Sequence, residues 1–223
     1  MEFQEFTKIG RLSREVIISE KIDGTNAHIA IEDTRNIAPE SFQPLQIVAT
    51  VGHLALRAGS RTRYITPDQD NFGFAAWVLA NAEELSELGP GRHYGEWWGS
   101  GIQRGYGLAK GERRFSLFNT IRWALHGTEP QRIPKEDPRL EVYQDVLPAC
   151  VGLVPVLYRG SFDSFMGHID DIIERLRVDG SAASPGFMNP EGIVVYHTAS
   201  GVMFKKTLVK DEQPKSKVLA ASH

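Results

Sequence analysis

Five short segments of this chain carry residues that could do chemistry. The first is Glu20-Lys21-Ile22-Asp23-Gly24-Thr25-Asn26. A lysine at a strand end, just ahead of a tight turn, can point an amine into a cleft, and a neutral amine is a nucleophile. The second is Tyr94-Gly95-Glu96-Trp97-Trp98-Gly99. Its glycines flank a carboxylate and two large aromatics, a composition suited to close backbone packing beside a binding surface. The third, Phe115-Ser116-Leu117-Phe118-Asn119, offers an aromatic that could stack on a base. The fourth, Glu191-Gly192-Ile193-Val194-Val195-Tyr196, heads an apolar strand with an acid, and the fifth, Phe204-Lys205-Lys206-Thr207, puts two lysines on one strand. Each has a plainer reading when taken alone. Asp-Gly closes surface hairpins, tryptophans and phenylalanines fill cores, and a lysine pair is usually solvated.

The elements that must position these segments are strands and two helices. Val16 to Ile22 is β-branched and reads as a strand, turning at Asp23-Gly24 into a return strand over Ala27 to Ile31. Residues 32–46 read as a loop, and Gln46 to Val51 as another strand. Phe74, Trp77, Val78, Ala82 and Leu85 recur at helical spacing, which predicts a helix from Asp70 to Leu88, stopped by Gly89-Pro90-Gly91. Arg92 to Trp98 and Arg113 to Trp123 read as strands. Ser164 to Val178 reads as a second helix, with Phe165, Ile169, Ile172, Ile173 and Leu176 on one side. Residues 180–190 form a Gly, Ser, Ala and Pro-rich loop. Ile193 to Tyr196 and Val202 to Thr207 form a hairpin through Ala199-Ser200-Gly201. Hairpins mixed with two scattered helices favour an α+β fold over a doubly wound sheet.

Composition narrows the classes. The 223 residues suit one sizeable domain or two small ones. With 25 Lys+Arg against 28 Asp+Glu the net charge is −3, so any polyanion partner must be met by a local basic patch. Arg57, Arg61 and Arg63 form one candidate group, and Arg104, Lys110, Arg113 and Arg114 another. The single cysteine, Cys150, rules out an intrachain disulfide and a Cys-x-x-Cys zinc site. The histidines show no metal-ligand spacing. No apolar run approaches the roughly 20 residues that span a bilayer, and the acidic N-terminus resembles no export signal. The expectation is a cytoplasmic protein with no membrane partner.

Taken in order, the five segments resemble the covalent nucleotidyltransferase superfamily of ATP-dependent ligases and capping enzymes. Within it the chain is most similar to ATP-dependent RNA ligases of the RNA-ligase-2 type, including the RNA-editing ligases. Lys21-Ile22-Asp23-Gly24-Thr25-Asn26 matches their motif I, Lys-x-(Asp/His)-Gly-Thr-Asn, better than it matches DNA ligases. Arg61, with Pro67 and Asn71-Phe72-Gly73-Phe74, resembles the motif Ia segment. Glu96 falls in motif III, Phe118 in motif IIIa, Glu191 in motif IV and Lys205 in motif V. The resemblance runs from about residue 15 to residue 210.

That resemblance implies an α+β nucleotidyltransferase fold, the ATP-grasp-like ligase adenylation fold, with antiparallel sheets flanked by helices and no OB-fold domain. Residues 1–210 would be the adenylation domain and 211–223 a polar tail. It implies ATP and Mg2+ or Mn2+ as cofactors and RNA ends as the partner, in a role such as RNA repair. Glu20, Lys21, Ile22, Asn26, Arg61, Glu96, Phe118, Glu191 and Lys205 would bind the nucleotide. Of these, Lys21, Lys205, Glu191, Asn26 and Arg61 would also serve catalysis. Lys21 would take the adenylyl group from ATP, Glu96 would hold the ribose hydroxyls, and Phe118 would stack on adenine. Glu191 would help hold the metal, largely through water, and Asn26 would serve the later transfer and joining steps. A free lysine is almost wholly protonated at neutral pH, and nearby cations disfavour that charge, which gives Lys205 a reason to be present.

One departure stands out. Motif V usually reads Lys-x-Lys, with both lysines on one strand face. Here they are adjacent, so they point to opposite faces. Lys205 is the expected inward one, with Thr207 or Met203 in the place of the second lysine. A DNA ligase, a capping-type guanylyltransferase and a non-catalytic nucleotide-binding derivative remain as alternatives. The core would fill nearly the whole chain, so a second copy or an accessory protein would have to add grip on the polynucleotide.

Overall fold

The computed structural model describes residues 9–36, 46–123 and 147–209. They form two compact units, divided between Ile22 and Asp23 and again between Val154 and Pro155.

The first unit holds a four-stranded antiparallel sheet. Its strands are β1 (Glu15–Lys21), β9 (Val156–Ser161), β10 (Gly192–His197) and β11 (Val202–Thr207), in the order β11-β10-β1-β9. The helix α4 (Phe162–Val178) covers one face. Its Phe165, Ile172, Ile173 and Leu176 pack with Val16, Ile18, Ile193 and Val195 of the sheet, and all are buried. Full burial of such side chains contributes roughly 1.5–3 kcal/mol each. The predicted second helix and the 193–207 hairpin are both found.

The second unit holds a seven-stranded sheet. It contains β2 (Thr25–Asp33), β3 (Ala49–Val51), β4 (Leu54–Ser60), β5 (Tyr64–Ile65), β6 (Gly91–Gly99), β7 (Arg113–Leu117) and β8 (Val151–Leu153). The order is β3-β4-β2-β6-β7-β8, with β5 also on β4. All pairs are antiparallel except β7 with β8. One face packs on α1 (Phe74–Ala80) and α2 (Ala82–Ser86). Phe74, Trp77, Trp97 and Phe115 form an aromatic cluster there, with neighbouring ring centroids 5.1 to 5.8 Å apart. No helix among the described residues is long and apolar enough to cross a membrane.

Three expectations are corrected. Asp23-Gly24 does not close a hairpin, because β1 and β2 belong to different sheets. Gly24 is required by close approach: a Cβ there would lie 2.4 Å from the Trp97 carbonyl oxygen. The expected helix from Asp70 to Leu88 is two helices. The Asp70 carboxylate accepts the N–H groups of Ala75 (2.8 Å) and Ala76 (3.0 Å), so the helix proper begins at Phe74. Asn81 then breaks it, since its backbone N–H and side-chain amide both donate to the Trp77 carbonyl. The expected strand from Arg113 to Trp123 ends at Leu117 and gives way to α3 (Thr120–Trp123), whose first turn Asn119 caps through the Arg122 N–H at 3.0 Å. Strands β4, β5, β8 and β9 had no counterpart in the sequence reading. The expected tail after 210 lies outside the described residues.

Candidate active site

In the first unit, Lys21 is the last residue of β1, and Glu191 immediately precedes β10. The Lys21 ammonium donates to Glu191 Oε2 at 2.8 Å. Glu191 is 2% exposed, whereas the Lys21 side chain retains 23% exposure. The sequence therefore folds so that the lysine and the acid of two separate segments meet across 170 residues.

Sheet register decides which motif V lysine shares the face of Lys21. Lys21 lies opposite Gly192, and Gly192 opposite Thr207. Directly paired residues share a face, as do residues two apart on a strand. Lys205 and Thr207 thus lie on the Lys21 side. Lys206 lies opposite Ile193, on the α4 side, where its ammonium meets Asp170 at 3.0 Å. Met203 also shares the Lys21 face, so neither strand neighbour of Lys205 on that face is cationic. Arg159 shares it too, but its guanidinium is held bidentately by Glu15, at 2.8 and 3.0 Å.

Glu20 points the other way. Its carboxylate is 1% exposed and accepts Ser181 Oγ at 2.6 Å and the Ala183 N–H at 2.9 Å. Burial pushes its pKa up, against the opposing pull of these hydrogen bonds. The side chain expected near the nucleotide therefore ties the 181–184 loop to β1. Ile22, the other expected nucleotide neighbour, is 3% exposed.

In the second unit, Asn26 on β2 and Glu96 on β6 are direct cross-strand partners. Asn26 Nδ2 donates to Glu96 Oε2 at 3.1 Å, and the Gly24 N–H donates to Glu96 Oε1 at 3.0 Å. Both lie on the sheet face opposite the helical core, since Ala27, Ile29 and Trp97 point into that core. Phe118, one residue past β7, is 38% exposed, and its N–H donates to the Tyr94 carbonyl at 3.0 Å. An exposed phenylalanine on that face is free to stack. Arg61 lies exposed in the turn between β4 and β5.

Two residues of this unit were not read as partners. Asp23 accepts Arg104 Nε at 3.0 Å, and its N–H donates to the Tyr106 hydroxyl at 2.9 Å. Arg104 is thus placed against Asp23, while Arg113 donates to the carbonyls of Ser100 and Phe72, and Arg114 pairs with Glu112. Arg57 is buried and paired with Glu32. Nothing in the local pattern marks Tyr106 or Arg104 as the partners of Asp23, because more than 80 residues separate them.

A profile of the RNA ligase family matches residues 14–210, and the chain belongs to that family. It is similar in fold to a mutant Naegleria gruberi RNA ligase solved with ATP and manganese. The identity is 16% and the TM-score 0.51, over 88% of this chain and 50% of that one. An apo mutant of the Naegleria ligase aligns at 16% identity and TM-score 0.49, over 87% and 50% of the two chains. An archaeal ATP-dependent RNA ligase aligns at 17% identity and TM-score 0.48, over 91% and 48%. The chain spans about half the length of these solved structures. No curated protein matches it.

Proposed function

We propose that this chain is an ATP-dependent RNA ligase of the RNA-ligase-2 type, with the nucleotidyltransferase fold over residues 1–210. The observation that carries the reading is Lys21, at the end of β1 and hydrogen-bonded to the buried Glu191, with Lys205 on the same sheet face. Once neutral and released from Glu191, the Lys21 amine attacks the α-phosphorus of ATP. A nitrogen–phosphorus bond forms, the bond to the pyrophosphate oxygen breaks so that pyrophosphate departs, and the attacking nitrogen releases one of its two protons to solvent. AMP then passes to an RNA 5′-phosphate, and a 3′-hydroxyl displaces it to join the ends.

Each unit has its own share of the work. In the first, Lys21 is the nucleophile, and Lys205 stabilises charge that develops on the phosphate. In the second, Glu96 orients the ribose hydroxyls while Asn26 braces its carboxylate. Phe118 stacks on adenine, Arg61 meets phosphate, and Asn26 serves the joining steps. Among the described residues no three of His, Cys, Asp and Glu cluster as a metal cage. Glu191 would be the protein donor to a hard cation, whose other ligands would be water and phosphate oxygens. Mg2+ or Mn2+ supplies neutralising charge on those oxygens when bound.

Incubation with α-labelled ATP and manganese tests the reading. The wild-type chain should become covalently labelled, GTP should not substitute, and Lys21→Ala should abolish the label. A label that survives Lys21→Ala sinks the mechanism. Pre-adenylated RNA should be joined to a 3′-hydroxyl RNA faster than its DNA equivalent.

A further inference from the structure

The face of the second unit's sheet opposite its helical core carries a line of aromatic rings that the ligase chemistry does not use. Tyr94 on β6 lies opposite His28 on β2, and His28 lies opposite Gly59 on β4. Gly59 lies opposite Tyr64 on β5. Phe118 heads the same cross-strand row through its hydrogen bond to the Tyr94 carbonyl. With strands about 4.8 Å apart, the row runs nearly perpendicular to them. The His28 ring sits 5.2 Å from that of Tyr94 and 5.6 Å from that of Tyr64. Gly59 makes this possible: a Cβ there would lie 2.0 Å from the His28 ring, so only glycine lets the imidazole lie down on β4. Tyr94 is 51% exposed.

The rows on either side are polar. One side holds Asn26 and Glu96, and the other holds Arg92 opposite Ala30 and Ala30 opposite Arg57. Glu32 neutralises Arg57. Arg92 is exposed and interacts with the Tyr94 hydroxyl. Arg61 and Arg63 are exposed in the turn that joins β4 to β5, at the far end of the row. Burial, and then the Arg92 charge, hold His28 below its ordinary pKa, which favours a neutral ring.

We propose that Tyr94, His28 and Tyr64 form a base-stacking subsite for an unpaired segment of the RNA strand, with Arg92 and the Arg61–Arg63 turn on its phosphates. This rests on the ligase reading and deepens it by naming where the second unit holds the polynucleotide. The occupant follows from the chemistry. Rings in a row offer faces to bases, which are free only in an unpaired strand, and flanking cations match a phosphate backbone. The row is continuous with Phe118, the residue assigned to adenine.

The test is fluorescence anisotropy of the full chain with a 5′-phosphorylated single-stranded oligoribonucleotide. Tyr94→Ala should weaken binding about tenfold, the scale of one lost base stack, and Tyr94→Trp should restore it. Arg92→Ala should lower the salt dependence by about 0.7 in the log–log slope, as loss of one single-strand phosphate contact does. Unchanged affinity in Tyr94→Ala, or a Tyr94→Trp variant as weak as the alanine, overturns the subsite. So does a changed oligomeric state in place of lost RNA affinity, which would make the row a protein interface. Labelling of the wild-type chain by ATP is scored apart, so a failure of the ligase reading is distinguishable from a failure of the subsite.

Discussion

The contact between Lys21 and Glu191 can be measured by a double-mutant cycle of the wild type, Lys21→Met, Glu191→Gln and the double variant. At 2.8 Å, Coulomb's law gives about 1.5 kcal/mol in bulk water and about 6 kcal/mol at an effective permittivity of about 20. Glu191 is nearly enclosed and Lys21 is partly wet, so the pair sits between these limits. Desolvation offsets part of the attraction, and a coupling energy of about 2 kcal/mol is expected. Lys21→Met should cost more than Glu191→Gln, because it leaves a buried carboxylate without its lysine, at about 3 kcal/mol. The probe matters. All four tryptophans, Trp77, Trp97, Trp98 and Trp123, lie in the second unit, so their emission follows that unit. Among the described residues the longest helix, α4, lies in the first, so the part of the far-UV circular dichroism change in urea that does not coincide with tryptophan emission follows the pair. A coupling energy below about 0.5 kcal/mol, the range of exposed ion pairs, would refute the view that Glu191 holds Lys21 in place.

Gly24→Ala should destabilise the second unit by about 1–3 kcal/mol, read by tryptophan emission, because its Cβ would meet the Trp97 carbonyl and Trp98 Cβ; an unchanged midpoint would show that the backbone yields there. Glu20 has a folded pKa raised by burial, so its stabilisation is complete below its ordinary value of 4.5 and is lost as pH rises through the folded value. The stability of the wild type relative to Glu20→Gln should therefore be greatest in acid and fall toward neutrality, and the opposite slope would contradict the assignment. Burial, with Glu84 beside it, pushes the Cys150 thiol up to about 12, so iodoacetamide should modify it slowly in the native protein at neutral pH and rapidly after unfolding.

Much of the candidate site was legible because its signals are local. The amphipathic spacing of α4, the hairpin of β10 and β11, and the ordered motifs around Lys21, Glu96, Glu191 and Lys205 all lie within short windows. The opposite facing of Lys205 and Lys206 followed from strand alternation alone, although register was needed to say which of them joins Lys21. The break at Asn81 was illegible, since apolar spacing continues through it while a side-chain amide competes for the Trp77 carbonyl.

What the sequence by itself determined, then, is the chemistry available: an amine at a strand end, acids ahead of or within strands, and an aromatic, Phe118, whose exposure only the structure shows. What only the tertiary structure decided is pairing. Asp23-Gly24 has the composition of a hairpin turn, yet β1 pairs with β9 and β10 while β2 pairs with β4 and β6. The Glu20 carboxylate is held by a loop 161 residues away, and Tyr94, His28 and Tyr64 form one row only because four strands, β6, β2, β4 and β5, come into register. The alternation that aims a side chain is written along one strand. The neighbour it meets depends on hydrogen bonds and core packing between segments far apart in the chain, and no short window of sequence contains them.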